Sequence, residues 1–380
     1  MKKCTLFLTF AALIFMLTLP TAAAQTESGV SFPPSEWNEF NSSVPDELRD
    51  KLPEGSLDNG EGFAENVSEM SKSEYIISAI LDALGLELRG AAKLFLTLTA
   101  VLMISAVFGT TAQGTENPAL VSAMRFCASA AVISVAVGSL YSHFSDVEVF
   151  FGKLGTLMNG MIPVTAGIWA MGGNVSTASV GSASFYVILN VCQSLLAGSL
   201  IPVCCVLSVL GFCDAISDEI KVGRIMNAVK KIYNFILVGV MTVLVSSLAA
   251  QTAIAASADT AAAKAARLAS GTLIPVVGGS VGETLRTLSG GVSYLKGLFG
   301  VGGIILIALL VLPLALSVLL TRFVFLLSGG IADMLGCSGE ARLLDNLGEV
   351  YGSILAVISG VCVTFILALC IFMQTVVAVA

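Results

Sequence analysis

The chain has 380 residues, 56% of them hydrophobic and 12% charged, with a single histidine and a formal net charge of −7. So apolar a composition excludes a soluble enzyme, and an acidic balance argues against a nucleic-acid partner.

The chain opens with Lys2 and Lys3, an apolar run over 6–19, Pro20, and then Ala22 and Ala24. Positive charge, apolar core and small residues at the cut site predict a signal peptide over 1–24, cleaved before Gln25. The stretch also fits an uncleaved first membrane helix, and either reading exports the segment after it. Residues 25–90 hold 14 acidic and four basic side chains, a net charge of −10, whereas 91–380 carry 13 basic and 12 acidic ones. The acidity therefore belongs to a short exported segment, expected to be a solvated, partly disordered tether as far as about Phe63. Pro45, Asp46 and Glu47 predict one short helix, since proline suits a first turn and acids suit the positive end of the helix dipole. Tyr75, Ile77, Ile80, Leu81, Leu84 and Leu88 then recur at helical spacing, with Glu74, Asp82 and Glu87 between them. This amphipathic helix fits a membrane surface or, given its acidic sign, a protein partner.

Residues 91–380 read as an all-α, polytopic integral membrane domain. A crossing needs about 20 apolar residues, which places spans near 92–112, 119–141, 154–172, 180–198, 199–215, 232–256, 300–328 and 351–378, with a weaker segment at 270–298. Lys221, Arg224, Lys230 and Lys231 form the densest basic cluster after the signal, so their stretch is expected in the cytoplasm, as simple positive-inside anchoring or as a contact surface for a partner. An exported start followed by five crossings arrives on the same side. Met161-Ile162-Pro163-Val164 is echoed by Leu273-Ile274-Pro275-Val276, Leu200-Ile201-Pro202-Val203 by Val311-Leu312-Pro313-Leu314, and Arg224 leading to Tyr233 by Arg342 leading to Tyr351. Their common order points to an internal duplication, with repeats at about 119–231 and 232–350 and a final helix at 351–378. Pro163, Pro202, Pro275 and Pro313 are candidate hinges, because proline interrupts a helix.

Eight of the nine cysteines lie in the membrane domain, where they serve as small buried hydrophobes. None pairs with His143 at metal-site spacing, and no glycine loop ends in Lys-Ser or Lys-Thr, so neither a metal, a nucleotide nor another cofactor is expected. Gly300, Gly302 and Gly303 read as close helix packing. Asn159, Asn190, Gln193, Arg125 and Arg322 fall in or near spans and are the candidates for an intramembrane polar path, against interhelical bonding for the amides and snorkelling for the arginines.

The stretch from Asp259 through Lys264, Gly271, Ile274-Pro275-Val276, Gly278, Leu295-Lys296 and Gly300, together with Trp37 and Pro45-Asp46-Glu47, resembles the stage III sporulation protein AE family. The resemblance implies a non-enzymatic membrane subunit of the channel complex that links mother cell and forespore. It implies ring-forming intermembrane proteins and a separate ATPase as partners, membrane lipid around the domain, and a place in the outer forespore membrane. Two other readings of the residues are a stand-alone secondary transporter of a small solute, built on the duplicated spans, and a lipid-handling or insertase-like protein.

Overall fold

Apolar runs of this length, with no alternation of the strand type, fold into helices throughout. The computed structural model describes residues 32–113, 118–216, 223–273 and 278–378, so the expected signal peptide lies outside the described residues. Among these are nine helices: α1 (Pro34–Ser43), α2 (Asp46–Arg49), α3 (Gly60–Met70), α4 (Ser73–Gln113), α5 (Pro118–Met171), α6 (Val175–Ile216), α7 (Gly223–Leu273), α8 (Gly278–Met334) and α9 (Ser338–Gln374). The last six are long and apolar enough to cross a membrane, the build of a multi-pass membrane protein. They run from 37 to 57 residues, about 55 to 85 Å, against a hydrocarbon core of about 30 Å.

The eight expected spans therefore collapse onto six helices. Those at 119–141 and 154–172 are both α5, and those at 180–198 and 199–215 are both α6. Asp146, Glu148 and Lys153 interrupt the apolarity of α5 without interrupting its helix. Most of the weak segment at 270–298 joins the run at 300–328 in α8. Three crossings before 217–222 still reach the side that five would reach. Pro163, Pro202 and Pro313 lie inside α5, α6 and α8, which continue past them. Each costs one backbone hydrogen bond without ending its helix. Pro275 lies outside the described residues.

Side-chain contacts fix the relative heights of the helices. α8 and α9 turn at 335–337, where Gly336 takes a φ of 77°, and pair at the centre, with α4 to α7 around them. At this lower end Ser105 of α4 and Ser129 of α5 both donate to Glu340 of α9, at 3.1 and 3.2 Å. Higher up, His143 of α5 meets Ser317 of α8 and Tyr351 of α9, and Lys230 of α7 pairs with Glu349 at 2.7 Å. At the upper end Asn174, in the α5–α6 turn, holds residues 376 and 378. Of the three landmark pairs, Pro202/Pro313 and Tyr233/Tyr351 fall at like places in the hairpins α6–α7 and α8–α9. Of the third pair, Pro163 lies within α5 and Pro275 lies outside the described residues.

Residues 32–70 are not a solvated tether. Phe32, Trp37, Phe40 and Phe63 pack on one another, and Phe32, Phe40 and Phe63 on Phe299 of α8, at ring separations of 5.1 to 6.5 Å. Each buried ring contributes roughly 1.5–3 kcal/mol, enough to order a layer that composition alone marks as disordered. Gly167 of α5 admits α1 closely, since a methyl there would lie 2.9 Å from the Pro33 Cγ. The short helix expected at Pro45 forms as α2, with Asp46 and Glu47 in its first turn. Glu47 pairs with Lys153 of α5, and Tyr75 of α4 donates to the Lys51 carbonyl at 2.6 Å. The amphipathic stretch after 73 is the start of α4 itself, continuous with the span below it.

Candidate functional site: polar clusters inside an apolar bundle

Ser139 and His143 lie one turn apart on α5, as do Ser317 and Thr321 on α8, so each pair shares a face. His143 Nδ1 is 2.8 Å from the Ser139 carbonyl oxygen, and Nε2 is 3.3 Å from both the Ser317 and Thr321 hydroxyls. A carbonyl only accepts, so Nδ1 donates in that bond, while each hydroxyl at Nε2 can either donate or accept. Tyr351, fully buried on α9, sets its hydroxyl 3.2 Å from His143 Nδ1 and 3.2 Å from Ser139 Oγ. Its ring stands edge-on to the imidazole at 5.2 Å.

The cluster adjoins a cavity of 230 Å³ lined by Glu47, Lys51, Glu87, Asp146, Lys153 and Ser317, among others. Ser317 belongs to both, so the cavity with its charged rim and the histidine cluster meet at that residue. The arrangement can share protons between an imidazole and three hydroxyls in an apolar core. Among the described residues no group of three His, Cys, Asp or Glu side chains could hold a metal ion, and the eight cysteines there are free thiols.

The upper end is built from the stretch after Asp259. The Asp259 carboxylate accepts from the Ser176 and Thr177 backbone N–H groups at 3.0 and 2.8 Å and from the Thr177 hydroxyl at 2.8 Å. It thereby caps α6 from another helix, where the free N–H groups and the dipole favour an anion. Asn174 donates to the Val376 carbonyl at 2.9 Å and accepts from the Ala378 N–H at 2.8 Å. Lys296, 3% exposed, donates to the Thr375 carbonyl and lies 6.0 Å from the Phe372 ring centroid. Gly300, Gly302 and Gly303 face Met373, Phe63 and Met161, as close packing requires. A protein-family model described as Stage III sporulation protein AE matches residues 61–376.

The chain belongs to the stage III sporulation protein AE family. The Stage III sporulation protein AE of Bacillus subtilis (strain 168) is 23% identical over 239 residues, which cover 63% of this chain. The chain spans 60% of the length of that curated relative. No solved structure matches.

In this member of the sporulation family the four described side chains among the five expected on a polar path are not gathered into one. Asn159 is exposed on α5, and Asn190 is exposed on α6, where it donates to its own helix at the Tyr186 carbonyl, 2.8 Å away. Gln193 fills the groove over Gly155 of α5. Arg322 does not reach outward. Its guanidinium covers Gly352 of α9, where a methyl would lie 3.0 Å from its Cζ, and its Nε is buried without a hydrogen-bond partner. The side chain of Arg125 is outside the described ones. Of the basic cluster, Arg224 and Lys231 are exposed, Lys230 is committed to Glu349, and Lys221 lies outside the described residues. Sequence reasoning missed the histidine cluster, whose signal there is two pairs, 139/143 and 317/321, each at a four-residue spacing.

Proposed function

We propose that this chain is a membrane subunit of the channel complex that connects mother cell and forespore and supports late forespore gene expression. The family match over residues 61–376 carries the reading. The build of the molecule supports it: six helices long and apolar enough to cross a bilayer bear an acidic layer, α1–α3, on one flank. In this reading the protein sits in the outer forespore membrane, and that layer faces the intermembrane space. The exposed carboxylates of Glu39, Asp46, Asp50 and Glu54 there meet ring-forming subunits. Arg224 and Lys231 lie on the mother-cell side, in keeping with the positive-inside rule. The chain performs no chemistry of its own, and a separate ATPase supplies energy.

Deletion of the gene in a spore-forming host, followed by microscopy with a late forespore-specific reporter, tests the reading. Arrest after engulfment with a silent reporter is the expected outcome. Normal sporulation removes the assignment.

A further inference from the structure

The exposed apolar surface of the bundle does not form a level band. On α4 the apolar run 91–113 descends from Glu87, which lines the cavity with Asp146 and Ser317, past Ser105 at the height of Glu340. Met103, Ile104, Val107 and Phe108 are exposed along it. On α7 the apolar run 232–256 ascends instead. It starts beside Lys230, paired with Glu349, passes Leu237 at the height of Gly360, and ends where 249–264 meet Gln374 and Thr375. Val238, Val243 and Ile254 are exposed along it.

Both runs begin at one height, because Glu349 lies two residues from Tyr351, Tyr351 bonds His143, and His143 bonds the cavity residue Ser317. From there they leave in opposite directions. Their midpoints are about 25 residues apart along α9, or about 37 Å at 1.5 Å per residue. A hydrocarbon core is about 30 Å thick, so a bilayer perpendicular to the bundle covers one run and not the other.

The charged surfaces follow the inverse pattern, while exposed apolar side chains continue high on α4 at Ile77, Leu81, Leu86 and Leu88 and low on α6 and α7 at Val206, Val209 and Ile225. High on the α5–α8 side lies the layer α1–α3, with Asp46, Glu47, Asp50 and Glu54 exposed. Low on the α6–α7 side Arg224 and Lys231 are exposed, and at that height Arg342 and Asp345 are exposed on α9, the Asp345 carboxylate beside Gly329 of α8.

We propose that the bilayer crosses this bundle obliquely, so that lipid covers α4, α5 and α8 low and α6 and α7 high. Three interhelical spacings of 8–10 Å separate α4 from α7, and the offset across them corresponds to an inclination of about 50°. Transmembrane helices average about 20°. A helix inclined by about 50° needs about 31 residues inside the core, which brings the requirement closer to the lengths seen here. A second copy covering the upper face of α7 would not explain the molecule as well. It would leave Arg342 and Asp345 at the height of an upright lipid band. An apolar cleft of 450 Å³ between α7 and α9, lined by residues including Leu237, Met241, Val245, Gly360 and Val363, opens on that upper face and suits an acyl chain. The inference does not depend on the proposed sporulation role.

Nitroxide labels test it on the full chain in phosphatidylcholine–phosphatidylglycerol nanodiscs, with the exposed Cys127, Cys205 and Cys213 changed to serine. Met103→Cys and Val243→Cys are expected to collide several-fold more with oxygen than with a water-soluble nickel chelate. Asp50→Cys and Asp345→Cys are expected to show the reverse. Nickel access at Met103→Cys or Val243→Cys would mean an upright bundle. Val243→Cys shielded from both reagents would mean a protein cover, and either result overturns the proposal. Should a variant fail to assemble, a diazirine-tailed lipid photolysed with the unaltered chain gives the same answer. Adducts on both 96–108 and 238–254 support the oblique seat, and adducts on only one of them overturn it.

Discussion

Phe40 tests whether residues 32–70 are docked. Its ring is fully buried, 5.3 Å from those of Trp37 and Phe299 and 6.1 Å from that of Phe63. Phe40→Ala removes the ring and leaves a cavity, at a cost of about 3–5 kcal/mol. The loss falls on the seating of α1–α3 against α5 and α8, because Phe40 belongs to that layer and not to a long helix. At about 1.4 kcal/mol per tenfold, the open population of the layer rises roughly 10²-fold to several thousand-fold. Trypsin reads this at the exposed Lys51, whose carbonyl is held by Tyr75 in the docked state. Cleavage tracks the open population while reclosing outpaces cutting. The expected result is a rate increase of that order for Phe40→Ala and none for Glu39→Ala, whose side chain is exposed. A Phe40→Ala rate within about threefold of the unaltered chain would refute the docking, because an open tether is cut at one rate whatever its aromatics.

Three further perturbations address the polar clusters, each read as a thermal midpoint of the full chain in detergent. Asp259→Ala leaves the Ser176 and Thr177 N–H groups without their cap and should cost about 1–2 kcal/mol. Thr177→Val removes a single hydroxyl and should cost less, and equal losses would deny Asp259 its capping role. Lys230→Glu sets two carboxylates together and should destabilise. Adding Glu349→Lys should restore the midpoint to within about 0.5 kcal/mol of the unaltered chain, and failure to recover would show that the pair is not coupled. His143→Leu strips partners from Ser317, Thr321 and Tyr351 and should cost about 1–3 kcal/mol, whereas Tyr351→Phe should cost nearer 1 kcal/mol. A smaller loss for His143→Leu than for Tyr351→Phe would remove the histidine from the centre of the cluster.

The membrane class was legible because apolar runs of bilayer length cannot be mistaken for a soluble core. The number of helices was not. Asp146, Glu148 and Lys153 look like a loop between spans, yet the fold uses Asp146 and Lys153 on the rim of a cavity while α5 runs on. Nothing at 199 marks a break, and two spans placed by length alone are one helix. The layer α1–α3 was misread for a different reason. Phe32, Trp37, Phe40 and Phe63 are scattered among acids, and Phe299, the ring that Phe32, Phe40 and Phe63 share, lies more than two hundred residues away. His143 showed the limit of counting residue types, since a single histidine suggests no site until Ser317, Thr321 and Tyr351 arrive from two other helices. The stretch around Asp259 and Lys296 was conspicuous in the sequence, while its partners, Thr177 and Thr375, carried no signal.

Asn174 meets residues 376 and 378 across sequence separations of 202 and 204. A chain made and inserted from its N-terminus completes the α5–α6 turn long before its partner segment exists. Until that segment arrives, the Asn174 amide and the Lys296 ammonium must be satisfied in some other way. The upper end is thus the last part of the bundle to close, and closing it reports that every helix before it is in place.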